Sequence, residues 1–557
     1  MRLYNRYFSD AFYLGSTPLI VFLFAIALPS LLDDNSDFSK ILGSSSSSSI
    51  IYQPVFAQPM ELSKQQAIET YQTQFCGLNT VPNSNQYVQE IKLNNKCEMP
   101  LAITADENGI WYVSTKLGSL ILYNYNDNSF VKYDIPTWGS RDKPIDNSNV
   151  WDIKNDPSGA TLWFTDEKQN LIWKFNKNSK TFENFKIPAK DMSFGTIYPV
   201  SLDFDNKGNI YFVGIRSPTL WIGNINEMKD GTSNGISSVP LPIEIFGDID
   251  KILISTGSLL VDKEKNDVWI SMLAFGYKGQ ILKYNIDDKT IKKYDIGDLP
   301  SPVAMAFDEE GNIWGTDHGT SIFFKLNPVN GSLTKFVTSP SSIKITGGVK
   351  MEGNSYTLPY WIKAGSNNSL IFNEHTGNKI AKFFPDSLTL VEYWIPSQNK
   401  YFSKCPIDSS PDTCGIGNVL QFTPEYNNNE TIWFTEWSEN KIGKLNTALS
   451  LPFSVSAGPD HFTVTQGNSI EIKMDVNAHK DITLSPISSS TFTPTGDLGT
   501  SYGIFSENKI NFKSGDSKEL SYVLTVSNDV PIGDYVLMVG AEDDSISISK
   551  AIFIKIT

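Results

Sequence analysis

The phrase Trp433-Phe434-Thr435-Glu436, followed after a short turn by Asn440-Lys441-Ile442-Gly443-Lys444-Leu445, recurs in weaker form along the chain. Further copies are Leu162-Trp163-Phe164-Thr165-Asp166 with Leu171-Ile172-Trp173-Lys174-Phe175, and Trp314-Gly315-Thr316-Asp317 with Ile322-Phe323-Phe324-Lys325-Leu326. Another is Ile371-Phe372-Asn373-Glu374 with Asn378-Lys379-Ile380-Ala381-Lys382-Phe383. Each pairs an apolar strand ending in an acid with a second apolar strand. A unit this short cannot bury both of its own faces, so it must stack on its neighbours.

The units centre on Trp111, Trp163, Tyr211, Trp269, Trp314, Ile371 and Trp433, about 45 to 62 residues apart. An apolar strand precedes each, as in Pro302–Phe307, and the turn between them is rich in Asp, Glu, Gly and Asn. Several end on a fourth strand such as Glu392-Tyr393-Trp394-Ile395-Pro396. Four strands per unit and seven units predict an all-β chain built on a seven-bladed β-propeller, residues 86–452. The last unit lacks a fourth strand of its own, and Tyr87–Leu93 is a strand without a unit. That strand is expected to complete the last blade and close the ring; Leu449–Val455 is the alternative.

Beyond residue 453 the pattern becomes clean two-residue alternation, as in Ile470–Val476, Leu520–Val526 and Asp534–Val539. It predicts an Ig-like β-sandwich over 453–557, a spacer or adhesion module. At the other end, 11–32 is free of charge, with Arg2 and Arg6 before it and Asp33-Asp34 after it. Residues 1–32 read as a signal peptide or an N-terminal transmembrane anchor that places the rest outside the cell membrane, secreted or anchored to its outer face. Residues 33–85 form a linker with a serine run and a short helix near 64–74. An extracytoplasmic location suits disulfides, the simplest pairing being Cys76 with Cys97 and Cys405 with Cys414.

Charge narrows the partners. Lys and Arg total 46 against 61 Asp and Glu, a net charge of −15, and Arg141 and Arg216 are the sole arginines after Arg6. Such a surface repels nucleic acid and lacks the guanidinium forks that grip phosphate. The expected partner is a small-molecule, peptide or glycan ligand bound by a monomer, with membrane contact through the N-terminal segment alone.

The Trp-Phe-Thr-Glu … Asn-Lys-Ile-Gly-Lys-Leu phrase, with its Tyr-x-Ile-Pro finish, resembles the repeat of the streptogramin B lyase (virginiamycin B lyase) family across the propeller. The resemblance implies a site at one mouth of the axis, where a magnesium ion and acid/base residues open a cyclic depsipeptide by elimination. It also implies histidines in a Pro-His-Gly/Ala-Ile phrase opening the inner strands of the last two blades. That phrase is absent: the corresponding stretches read Thr346-Gly347-Gly348-Val349 and Gly417-Asn418-Val419-Leu420. Glu436 matches the family's acidic position.

The ends of the second strands form a ring: Ser114, Asp166, Gly214, Met272, Asp317, Glu374 and Glu436. If these side chains face the mouth, Asp166, Asp317, Glu374 and Glu436 would hold Mg²⁺ or Ca²⁺. The bland reading is that such acids cap turns. Glu436, His318 and His375 are the catalytic candidates, although strand alternation turns each histidine away from the acid before it. Asn418 and Trp437 are candidate ligand contacts. Two readings result: a lyase-like propeller with metal-dependent carbon–oxygen lyase chemistry, or a non-catalytic surface protein that binds protein or glycan.

Overall fold

The computed structural model describes residues 81–557 apart from 139–148, 189–196, 341–355, 398–418 and the short turn positions 96–97, 116, 168, 216, 275–276, 427–429 and 438. The N-terminal apolar segment, the helix expected near 64–74, all four cysteines and Asn418 lie outside these residues.

Almost every described element is a strand, and residues 88–446 form seven antiparallel four-strand units, six of them separate sheets and the sixth in chain order continuing into a nine-stranded sheet. Their first strands are Pro100–Asp106, Ile153–Asn155, Pro199–Phe204, Ile254–Asp262, Pro302–Phe307, Pro359–Ala364 and Val419–Phe422. Each lies against the first strand of the next sheet, and the seventh lies against the first. A closed ring of inner strands with three more strands fanning outward from each is a β-propeller.

The repeated phrase owes its residues to three local demands. Thr431–Glu436 pairs with Lys441–Asn446, setting Phe434 opposite Gly443. A Cβ on Gly443 would run into the Phe434 ring, so glycine makes room for the aromatic. In the fifth sheet the same pair is reversed, with Phe324 over Gly315. The turn residue Asn440 is left-handed, φ 55°, which asparagine tolerates. Its Oδ1 accepts the Glu98 and Met99 N–H groups at 2.5 and 3.2 Å, fastening the turn to the entrance of the first sheet. Asn170 and Asn378 repeat the conformation, φ 54° and 55°.

The ring closes as the strand count predicts. Val88–Lys92 pairs antiparallel with Lys441–Asn446, in the register Val88 to Leu445 through Lys92 to Lys441, and is the outer strand of the seventh sheet. The alternative closing segment goes elsewhere, since Phe453–Gly458 pairs with Ser469–Ala478 in the C-terminal unit. One expected strand is misplaced. The inner strand of the sixth sheet is Pro359–Ala364, not the stretch beginning at Thr346, which lies outside the described residues.

The C-terminal residues form two facing sheets. One holds Phe453–Gly458, Ser469–Ala478, Ser517–Thr525 and Tyr502–Phe505; the other is built on Ile546–Ile556, Gly533–Glu542 and Ile482–Ser490. Alternation is visible in Ser469–Ala478, where Ile472, Met474, Val476 and Ala478 are buried and the residues between them point outward. This unit is not held apart as a spacer. Ile546–Ile556 pairs antiparallel with Thr389–Trp394, the outer strand of the sixth sheet, so one continuous sheet runs from the propeller axis into the tail. The Trp394 indole donates to Ser547 Oγ at 3.2 Å, and the Ser321 N–H donates to the Pro494 carbonyl at 2.8 Å.

Candidate functional site at the propeller axis

The acids at the ends of the second strands do not face the axis. Asp166, Asp317, Glu374 and Glu436 are all fully buried. Asp166 and Asp317 are hydrogen-bonded to their surroundings, whereas the oxygens of Glu374 and Glu436 have no hydrogen-bond partner among the described residues and face lysines at 3.7 and 3.9 Å. Asp166 Oδ2 accepts the Trp138 and Trp173 indole N–H groups at 2.6 and 3.0 Å and the Gln169 amide at 2.9 Å. Asp317 accepts the Ser301 N–H at 2.6 Å and the Thr320 hydroxyl at 2.7 Å, and burial pushes its carboxyl up to about 7.

Glu374 and Glu436 belong to a pair of matching locks. In the sixth sheet, Lys379 Nζ lies 3.3 Å from Glu392 and 3.7 Å from Glu374, and the Ser339 N–H donates to Glu392 at 3.0 Å. In the seventh, Lys441 Nζ lies 2.8 Å from Glu90, 3.7 Å from Glu439 and 3.9 Å from Glu436, and the Ser397 N–H donates to Glu90 at 2.7 Å. Each ammonium faces more than one carboxylate, so one acid must hold a proton. Burial pushes Glu374 well up, and Glu392 adds to the rise against the pull of Lys379. Burial and then Glu90 do the same to Glu436. Such groups are protonated acids, not free carboxylates.

The cation ring expected from Asp166, Asp317, Glu374 and Glu436 is therefore not assembled. Among the described residues no group of three or more His, Cys, Asp or Glu could hold a metal ion. A hard divalent ion needs several converging oxygen donors, and these carboxylates are separately buried against indoles, backbone N–H groups and lysines. They do not fit Mg²⁺ or Ca²⁺. Glu436, tied to a lysine lock, is also not placed as a catalytic base.

The next residue along the chain reaches the axis instead. Thr115, Glu167, Ile215, His318 and His375 each extend the second strand by one position, and their N–H groups donate to Met99, Asn149, Tyr198, Ser301 and Leu358 carbonyls beside the inner strands. Two hydrogen bonds, and an electrostatic influence across the ring, support a placement of this position toward the centre. The Tyr360 phenol, in the sixth sheet, is driven up by burial and then by the charge of Glu167, in the second. Those sheets are not neighbours. Glu167 Oε2 accepts the Trp151 indole N–H at 2.9 Å, and the Trp151 carbonyl accepts the Gln421 amide of the seventh sheet at 3.1 Å.

There the two histidines meet. His318 Nε2 and His375 Nδ1 are 3.1 Å apart, with the rings stacked at 14° and centroids 5.3 Å apart. The Tyr360 ring packs on His318 at 4.4 Å and lies 6.0 Å from His375. A separation of 3.1 Å requires one nitrogen to donate and the other to accept. Burial holds His318 well below the usual imidazole range, and His375 adds to the fall. His318 Nδ1 has no hydrogen-bond partner. The arrangement is a desolvated imidazole pair, with His318 held toward its neutral form, beside a phenol.

His318 and His375 are thus brought together, while Trp437 follows Glu436 as a buried ring. Sequence reasoning missed Glu167, Tyr360 and Trp151. A signal for Glu167 was present: it follows Asp166 as His318 follows Asp317 and His375 follows Glu374.

No family model and no curated protein matches the chain. Among solved structures it is similar to virginiamycin B lyase from Staphylococcus aureus, at 19% identity over 64% of this chain and 98% of that one, TM-score 0.46. A catalytically inactive variant of that enzyme with quinupristin gives 20% identity, 64% and 98% coverage and TM-score 0.47. Hydrazine synthase from Kuenenia stuttgartiensis gives 8% identity, 65% and 98% coverage and TM-score 0.42. At these values the likenesses decide neither activity nor site.

Proposed function

We propose that this chain is a ligand-binding β-propeller, the seven sheets being its full set of blades and the C-terminal unit an Ig-like module. The ligand, a small or peptidic molecule, binds at the rim where the inner strands begin, and the imidazole pair moves a proton there. The observation that carries the reading is the 3.1 Å contact between His318 and His375 beneath Tyr360. Two buried imidazoles in contact can take a proton at one nitrogen and release it at another. The repeat phrase and the depsipeptide chemistry of the family it resembles make a cyclic depsipeptide the first ligand to try. We propose no step through a metal. Export to the outer face of the cell membrane, by way of residues 1–32, belongs to the same reading.

Quinupristin is the probe. Calorimetric titration should show binding that falls at least about ten-fold in His318→Gln. Incubation followed by mass spectrometry should show a ring-opened product of unchanged mass if elimination occurs, because elimination adds no water. Absence of binding, or equal binding by His318→Gln and His375→Gln, contradicts a depsipeptide site on the imidazole pair.

The second reading is a non-catalytic surface protein that binds glycan or protein. The continuous sheet joining the propeller to the tail favours it, since it builds a rigid two-part surface. Binding of quinupristin without turnover, unaffected by both histidine variants, would support that reading.

A further inference from the structure

The other end of the axis, where the inner strands finish, carries a second group of charged side chains, independent of the imidazole rim. Lys154 and Asp203, from the second and third sheets, form an ion pair at 3.2 Å, and 34% of the Lys154 side chain and 13% of the Asp203 side chain are open to solvent. Deeper lies Asp152, which accepts the Leu202 N–H at 3.1 Å. From the sixth sheet comes Lys363. It donates to the Phe422 carbonyl and approaches Gln421 Oε1 at 3.5 Å, with its nitrogen 5.0 Å from the Phe422 ring centre.

Lys363 differs from the other enclosed lysines. Lys177 has Asp106 at 2.5 Å, Lys379 has Glu392 at 3.3 Å, Lys441 has Glu90 at 2.8 Å, and Lys382 pairs with Glu425. Among the described residues Lys363 forms no ion pair within 4 Å, and its bonding partners are a carbonyl and an amide oxygen. An ammonium without a counter-ion at bonding distance is costly in such a setting, whereas a neutral amine can keep both bonds as a donor. Burial, opposed by the charge of Asp152 and reinforced by that of Lys154, brings the Lys363 amine down to about 8. At neutral pH its free-amine fraction exceeds that of an ordinary lysine on the order of a hundred-fold. The residue as a whole keeps part of its surface accessible.

We propose that Lys363 is an amine nucleophile at this second mouth, forming an imine with small carbonyl compounds. The Nζ lone pair attacks the carbonyl carbon while the C=O π pair moves to oxygen. One N–H proton moves to the alkoxide to give the neutral carbinolamine, and the second moves to its hydroxyl oxygen as the nitrogen lone pair forms the C=N bond. The C–O bond breaks, and the oxygen leaves as water. One amine and one carbonyl thus give one imine and one water, with no oxidant or reductant.

The test uses the full chain, glyoxylate as probe and cyanoborohydride to trap the imine as a carboxymethyl amine. Peptide mapping after brief treatment at pH 7.5 should find the adduct at Lys363 about ten-fold or more above the average of the remaining lysines. Labelling should fall when the pH is lowered to 6, and Lys363→Arg should remove the dominant adduct. An adduct spread evenly over the lysines, or a dominant adduct elsewhere, overturns the proposal in the unsubstituted protein alone. Persistence of the dominant adduct in Lys363→Arg overturns it as well. Loss of the imidazole-rim reading would leave this outcome untouched, because neither histidine takes part.

Discussion

The sixth and seventh sheets carry the same lock and finish in opposite ways. In both, a glutamate ends the second strand, a lysine opens the third, and a glutamate on the outer strand takes a serine from the preceding sheet's exit. In the sixth sheet the outer glutamate, Glu392, comes from the local strand Thr389–Trp394, whose far edge is covered by Ile546–Ile556. In the seventh it is Glu90, from a strand more than 300 residues away in sequence. The ring thus closes through the standard joint between sheets, with the N-terminal strand standing in for a local one. Glu90 and Glu392 occupy corresponding places, independently of the backbone pairing that shows the same closure.

This comparison can be broken at several levels. The largest difference should come from truncation. Removing residues 1–93 takes away the outer strand and Glu90, leaving Lys441 with unmatched partners and the ring with an open edge. Calorimetry should show loss of a single cooperative transition. Removing 453–557 uncovers Thr389–Trp394 but leaves the ring closed, so a cooperative transition at lower temperature is expected.

Next come the lysines. Lys441→Met and Lys379→Met each leave buried carboxylates without their cation, and each should cost about 3–5 kcal/mol in denaturant unfolding. Glu436→Gln and Glu374→Gln replace acids that are already protonated with neutral amides and should cost about 1 kcal/mol or less at pH 7. Equal losses from the lysine and glutamine series would contradict the protonated assignment.

Smaller effects separate the two faces of the second strand. Asp317 is raised to about 7 from an ordinary 3.8, so the folded state holds its proton more tightly than the unfolded chain. Its contribution therefore becomes less favourable as the pH rises from about 4 to about 7. Asp317→Asn should flatten that segment of the stability profile. His318 is lowered from 6.5, so the unfolded chain binds the proton first. Stability should fall as the pH drops below about 6.5, and His318→Gln should remove that fall. Adjacent residues would then contribute slopes of opposite sign.

The architecture was legible because each unit repeats its turn chemistry and its apolar pairs, and because an unmatched strand at Tyr87–Leu93 had one vacancy to fill. The inner strand of the sixth sheet was not. The register shift between Pro359 and Ile362 does not account for this, since Pro302–Phe307 carries the same kind of shift between Pro302 and Met305 and was legible. The site failed by one residue. Alternation states that Asp317 and His318 point to different faces, but not which face sees the axis, and reversing that choice exchanges every candidate. Glu90 could not be matched to Glu392 without the three-dimensional joint. The docking of the tail was equally hidden, since an edge strand carries no mark of the partner that will cover it.

The central claim is that His318 and His375 form a buried pair at the axis, with His318 neutral, while Glu374 and Glu436 lie in the lysine locks between sheets. Nitrogen-resolved NMR of the imidazoles, assigned with His318→Gln, tests it directly. The account predicts that the His318 ring stays neutral from pH 8 down to 5.5, with one nitrogen protonated throughout. A His318 titration centred near the ordinary value of 6.5 would contradict it.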